Sequence, residues 1–288
     1  MDPTFIPTVL LPAAVGVIMF GLGLALTPAD FARVVQFPRA VIVGLLVQTI
    51  VLVAVAFAIT QLFDLPPLLA VGFMLLAASP GGAMANIFSH LAHGDVALNI
   101  TLTAINSVLA LVWLPLVLNW SLVQFLGAEL HAPAPTQKIL EVATVIILPV
   151  LIGMFVRYAW PALALRAAGT VRIASVLLLA LVVAISLADS GETMLQHFGT
   201  VGLACITLNL VSLAIGYAVP RLMGLPVAQA TSISLEIGIH NAAVAIFVAL
   251  KVLQTEAASV PAALSGIIRL ATAGIAVTWF RRRHARAV

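Results

Sequence analysis

The sequence predicts an all-α membrane protein of nine transmembrane helices with inverted repeats, two of its helices being discontinuous. Three observations carry that expectation. The 288 residues are 63% hydrophobic and only 8% charged, far too few charges for a water-facing surface. Apolar runs of about 20 residues, long enough to cross a bilayer, recur along the whole chain. Two of those runs are interrupted at mid-length by proline, glycine and polar side chains. A transmembrane β-barrel would instead show short alternating segments.

The segments can be taken in order, with bounds good to about two to four residues. The first, roughly 5–26, follows a start ("MDPTFIPTVLLPAAVG") without the basic region of a secretory signal, so no cleaved signal peptide is expected. The connection "TPADFARVVQFPR" leads to the second, roughly 39–60, which holds Gln48. The third, roughly 66–92, contains Pro80, Gly81 and Gly82 at its middle. Proline removes a backbone donor and glycine lets the chain unwind, and the apolar part before Pro80, about 14 residues, is too short to cross alone. The fourth, roughly 96–123, places Asn99 and Thr103 four residues apart on one face. The fifth and sixth, roughly 138–158 and 171–188, are separated by the connection "RYAWPALALRAAGTVR". The seventh, roughly 198–220, holds Cys205, a lone cysteine that excludes an internal disulfide and suits an inert buried thiol. The eighth, roughly 226–253, carries Glu236, Gly238, His240 and Asn241 at its centre. The ninth, roughly 257–280, contains Arg269.

Charge placement orients these segments. Arg33, Arg39, Arg157, Arg166, Arg172, Arg221, Arg281, Arg282, Arg283 and Arg286 fall on one side, ten of the thirteen basic residues. Lys138 and Lys251 fall on the other, and Arg269 lies within a span. The sides alternate only for an odd number of spans, which puts the N-terminus outside and the "RRRHAR" tail in the cytoplasm. That tail reads as a topology anchor, and nucleic acid is not expected as a partner.

The two broken segments correspond in sequence. "DLPP" (64–67) opens one and "GLPV" (224–227) the other, and each has an asparagine at its break, Asn86 and Asn241. Gln48 precedes Pro66 by 18 residues, and Asn209 precedes Pro226 by 17. Opposed repeats with interrupted helices in matching positions are the pattern of secondary transporters. The alternative is a pair of kinked helices in a structural bundle.

At these residues the sequence resembles the bile acid:sodium symporter family, over nearly its whole length. The resemblance rests on "GVIMFGLGLALTPADF", on "ASPGGAMANIFSHLAHGDVALNITLTAINS" and on "LEIGIHNAAVA". It implies one transporter domain over 1–288, in the nine-helix form that lacks the first helix of ten-helix bacterial members. Six spans (roughly 39–123 and 198–280) would form a core holding two crossing broken helices. Three (roughly 5–26, 138–158 and 171–188) would form a panel. It further implies two sodium ions. One site would use Asn86, Asn99, Thr103 and Glu236; the other Gln48, Glu236, carbonyls near Ile237 and Ile239, and the position of His240. Ala85 stands where the family usually has serine, and His240 where it has glutamine, so one site is altered.

The residue types suit that chemistry. Asn, Thr and Gln supply neutral oxygens for a hard cation, and Glu236 adds charge. Asn99 and Thr103 could alternatively bond across helices. A protonated His240 could replace an ion's charge, which opens a proton-coupled variant; a neutral one could leave the carbonyls to act alone. Arg269 could hold a substrate carboxylate through paired hydrogen bonds, with the half-helix starts near Ala83 and Asn241 adding free amides. It could equally pair with Glu236 or reach toward the interface. His90 and His93 lack the further ligands of a metal site and suit an interfacial role.

Function is then expected to be sodium-coupled symport of an organic anion, bile acid-like or a small carboxylate. A proton-coupled or sodium-independent carrier or exporter is the alternative. An intramembrane enzyme would need paired aspartates, a Ser–His pair or a zinc motif, and a channel a continuous polar path; neither is seen in the sequence. The expected partners are the anion and the bilayer, with no obligate protein partner. The expected setting is a bacterial inner membrane.

Overall fold

A computed structural model describes residues 11–127, 136–189 and 191–285. The first part of the first expected segment, and the connection at 128–135, lie outside the described residues. Within them the chain is helical, in the order α1 (Leu11–Ala25), α2 (Pro28–Ala32), α3 (Pro38–Leu46), α4 (Leu52–Leu62), α5 (Pro67–Ala78), α6 (Ala83–Leu91), α7 (Val96–Leu126), α8 (Thr136–Ala159), α9 (Pro161–Asp189), α10 (Gly191–Leu222), α11 (Val227–Gly238), α12 (Ala242–Val248) and α13 (Val260–Ala285). A π-helical turn, Val47–Val51, joins α3 to α4, and another, Ala249–Leu253, extends α12.

The chain is an integral membrane protein. Among the described residues four helices are individually long and apolar enough to cross a bilayer: Pro38–Leu62, Val96–Leu126, Phe198–Leu222 and Ala257–Arg283. A fifth candidate is the first helix together with the α2 region, bent by 70°. Exposed apolar side chains recur along α7 at Val108, Val112, Leu116 and Val123, the outward stripe of a helix that faces lipid. The expected loop at 157–172 is corrected here. α9 begins at Pro161, one residue after Trp160, so Arg166 and Arg172 ride on a helix rather than in a connection. Proline is favoured in the first turn of a helix, where its missing N–H costs nothing.

α1 packs most extensively on α8 and α9. Gly23 and Gly153 bring α1 and α8 together backbone to backbone, because a Cβ on either would overlap the other helix's main chain. The remaining long helices pack around α5 and α11. Both are buried from their second turn onward, Leu69 to Ala78 and Ala230 to Gly238. Helices that are apolar all round belong inside a bundle.

The two buried helices are launched in the same way. α4 ends with Asp64 at φ 47°, and α10 ends with Gly224 at φ 78°. Leu65 N–H reaches back to Thr60 C=O (3.0 Å), and Leu225 N–H to Pro220 C=O (2.9 Å). Asp64 and Gly224 N–H donate to Gln61 and Arg221 C=O (3.2 and 3.0 Å). Each is a left-handed helix cap of the six-to-one, five-to-two type, followed at once by a proline, Pro66 or Pro226, at the N-cap of the next helix.

Candidate cation and anion site

The site is built where the two buried helices stop. Ser79 is forced extended (ψ 141°) by the proline that follows it, and α5 ends there. α11 ends at Gly238, with Ile239 at φ −117° and ψ 79°. The two breaks lie against each other. Asn241 N–H donates to Pro80 C=O at 2.8 Å, and Gly81 and His240 form an isolated antiparallel bridge. α6 then opens at Ala83 and α12 at Ala242, with Asn241 capping the latter through its side chain (3.4 Å from Val244 N–H). Backbone left unwound at this depth is tolerated only where protein groups or a wet cavity satisfy it.

Glu236, 1% exposed, sits in the last turn of α11 and faces α7. Thr103 Oγ1 donates to its carboxylate at 2.7 Å, Asn99 Nδ2 at 3.1 Å and Asn106 Nδ2 at 3.4 Å. Gly81 N–H also donates to it. Asn99 Nδ2 further donates to Asn86 Oδ1 at 2.7 Å. Gly81 leaves no room for a side chain, since a Cβ there would overlap the Glu236 carboxylate. The sequence-expected group Asn86, Asn99, Thr103 and Glu236 is therefore one connected network.

The second expected group is placed differently. Gln48 lies in the π-helical turn and donates through Nε2 to the carbonyls of Ser79 (3.2 Å) and Ala77 (3.4 Å) at the end of α5. π-helical turns commonly occur at functional sites. On the other side, Asn209 Nδ2 donates to Gly238 C=O at 2.7 Å, at the end of α11. Ile237 and Ile239 occupy the last turn and C-cap of α11, where helical carbonyls run out of partners ahead of them. Ala85, standing where the resemblance leads one to expect serine, is fully buried among Leu235, Ile239 and Phe280.

The unpaired atoms are more informative than the paired ones. Gln48 Oε1, Asn99 Oδ1, Asn106 Oδ1 and Asn209 Oδ1 are buried without a hydrogen-bond partner. In each case the amide donates through nitrogen and leaves its oxygen unused. A buried acceptor left unsatisfied costs about 1–3 kcal/mol, so four of them around one carboxylate and two helix breaks form an excess of oxygen ligands. An all-oxygen donor set fits a hard cation rather than a thiophilic one.

A cavity of about 360 Å³ adjoins the breaks on one side. α1 and α9 supply one wall, and α6, the start of α7, His240, Asn241 and Arg269 the other. Arg269 is 4% exposed and donates to the His240 carbonyl. Among the described residues no ion pair joins it to Glu236, so that alternative is corrected: Arg269 lines the cavity instead. Leu270 points away, 52% exposed. Asn241 and Asn86 line the cavity as well, while the side chain of Ala83 lies outside what is described. His240 lines it too, with Nε2 buried and unpaired. His90, expected at an interface only, is exposed along the same cavity. Cys205 is buried and donates weakly to Pro261 C=O (3.4 Å), as expected for an inert thiol.

Sequence reasoning missed Asn106 and the role of Asn209. Asn99, Thr103 and Asn106 are spaced i, i+4, i+7, a stripe that was open to recognition once Asn99 and Thr103 were paired.

Residues 12–197 match the Sodium Bile acid symporter family. The chain belongs to that family. Relatives in several kingdoms agree. "Probable sodium/metabolite cotransporter BASS1, chloroplastic" of Arabidopsis thaliana is 28% identical over 86% of this chain and 61% of its own length. "Uncharacterized sodium-dependent transporter YocS" of Bacillus subtilis is 27% identical over 78% of this chain and 69% of its own. "Sodium-dependent organic anion transporter" of Bos taurus is 28% identical over 81% of this chain and 62% of its own. The chain thus spans 61% of the plant relative's length. The family and these relatives are described as symporters and transporters, not enzymes.

Proposed function

We propose that this protein is a secondary active transporter that carries an organic anion together with sodium by alternating access. The observation that carries this is the set of unused amide oxygens around Glu236 and the two breaks. On this reading sodium is a co-transported substrate. Asn86, Asn99, Thr103, Asn106 and Glu236 would hold one ion; Gln48, Glu236, the carbonyls of Ile237 and Ile239, and the His240 position would hold another. Sodium bound at the breaks neutralises Glu236 and fixes the two half-helix starts that face the cavity. The anion then binds against Arg269, Asn241 and the amides at the start of α6.

The nine-span reading takes each broken or π-turn-joined pair among the described helices as one span. The matched caps at Asp64 and Gly224, and the matched amides Gln48 and Asn209, support reading the two halves as inverted repeats. α1, α8 and α9 would be the panel that moves against the rest. The relatives named for sodium dependence and for organic anion transport support the same reading.

The site is tested by thermal unfolding of the purified protein in sodium and in potassium. A ligand at 100 times its dissociation constant adds about 2.7 kcal/mol, so sodium should raise the wild-type midpoint by several degrees. The account expects no sodium-specific rise for Glu236→Gln, and an equal rise in both proteins would remove Glu236 from the ligand set.

A second reading is favoured by one observation. His240 offers nitrogen where the family has an amide, and its Nε2 has no partner beside the cavity. A proton carried there would take the place of one sodium.

A further inference from the structure

α10 and α13 run side by side in the same direction. Cys205 on α10 meets Pro261 at the start of α13, and Tyr217, further along α10, meets Trp279 and Phe280 toward the end of α13. The Tyr217 and Trp279 rings are 5.3 Å apart, edge to face at 81°. One turn beyond these rings each helix carries an arginine, Arg221 after Tyr217 and Arg283 after Trp279. Both helices thus present the same pair, an aromatic ring with a cation one turn further out, at their arginine-rich ends.

The two faces of this cluster differ. Phe280 is buried, in one apolar cluster with Ala85 and Ile239 beside the helix breaks. Trp279 is 42% exposed and Ile275, one turn before it, 68% exposed, so an outward apolar stripe on α13 ends in an indole. Such a ring belongs where the acyl region of a bilayer meets the headgroups. The Arg283 guanidinium carbon stands 4.8 Å from the centre of that ring. Stacking there fixes the side chain and leaves its in-plane N–H donors for an acceptor. The described residues supply no anionic acceptor. From 198 to 222 and from 260 to 285 the sequence has no acidic residue, and among the described residues no carboxylate pairs with Arg221, Arg281, Arg282 or Arg283. Arg221 commits one donor to the Leu225 carbonyl (2.6 Å) and keeps others.

We propose that this cluster is a binding site for an anionic phospholipid, whose phosphate accepts from Arg283 and Arg221 while an acyl chain lies along Ile275. The chemistry selects that occupant. A phosphate takes the paired hydrogen bonds of a guanidinium, and basic sites between helices at the cytoplasmic face suit anionic headgroups. The exposed indole and the apolar stripe suit the chain below, which a soluble anion would leave unused. A bound lipid would brace α10 against α13 where Phe280 packs toward the breaks. The site depends neither on the cargo nor on the coupling ion.

Native mass spectrometry of the detergent-purified protein, titrated with phosphatidylglycerol or with phosphatidylcholine, tests it. Wild type should retain phosphatidylglycerol about tenfold better, since each arginine at the surface strengthens binding of an anionic headgroup about fivefold. Arg283→Gln should lower that preference about fivefold. Trp279→Leu should weaken retention of the same lipid, and Arg157→Gln, on α8, should leave both unchanged. A wild type without preference would overturn the site, as would wild-type binding by Arg283→Gln or Trp279→Leu, or an equal loss in Arg157→Gln. Displacement of the lipid by an equal concentration of glycerol 3-phosphate would also overturn it, because the acyl chain would then contribute nothing.

Discussion

Glu236 and His240 stand four residues apart, and the break between them gives them different surroundings. Glu236 receives donors from three α7 side chains and from Gly81, while His240 keeps an unpaired ring nitrogen beside Arg269 and the cavity. The types Glu, Asn and Thr at these positions were legible, since hard-cation chemistry calls for such oxygens. What the sequence alone left open was the partner of Arg269, because a carboxylate and a cavity are equally plausible neighbours until the helices are placed. The role of His240 is decided by transport measured against pH at fixed sodium. On the sodium reading, wild type and His240→Gln give superimposable profiles, and a pH dependence that disappears in the variant would show that His240 carries a proton.

At the level of elements, proline and glycine made both breaks legible, and the matched launch sequences "DLPP" and "GLPV" announced their likeness. The caps explain that likeness: each needs one residue at positive φ, then a leucine, then a proline, as in Asp64-Leu65-Pro66 and Gly224-Leu225-Pro226. The length of α9 was less legible. "RYAWPALALRAAGTVR" reads as a connection because of its arginines, yet Pro161 is a good first-turn residue and Arg166 and Arg172 fall within a continuous helix. The paired amides make a prediction here. Asn209→Ala strips the Gly238 carbonyl of its donor, and Gln48→Ala does the same to Ser79 and Ala77. Each substitution should cost about 1–3 kcal/mol, seen as a lower unfolding midpoint in detergent, and neither should be neutral. A neutral Asn209→Ala would mean that the break of α11 does not depend on that bond.

For the whole molecule, composition settled the membrane class, whereas the cavity could be located only after folding, because it is shared by elements distant in sequence. Its lining comes from the second half of α1, from α6, from the first turns of α7 and from the first half of α9. On the orientation expected from the charges all of these lead to the arginine-rich side, which would open the cavity toward the cytoplasm. Gln254 and Arg282, both exposed, report that orientation. With Cys205 replaced by serine, an impermeant maleimide should label Gln254→Cys on intact cells and Arg282→Cys only after permeabilisation. The reverse pattern would invert the topology. The central claim is coupling itself, and it is met most directly by proteoliposome uptake of a carboxylate panel under an inward sodium gradient and under equimolar potassium. The account predicts accumulation above equilibrium only with the sodium gradient and none for Glu236→Gln; accumulation that is the same in potassium would contradict it.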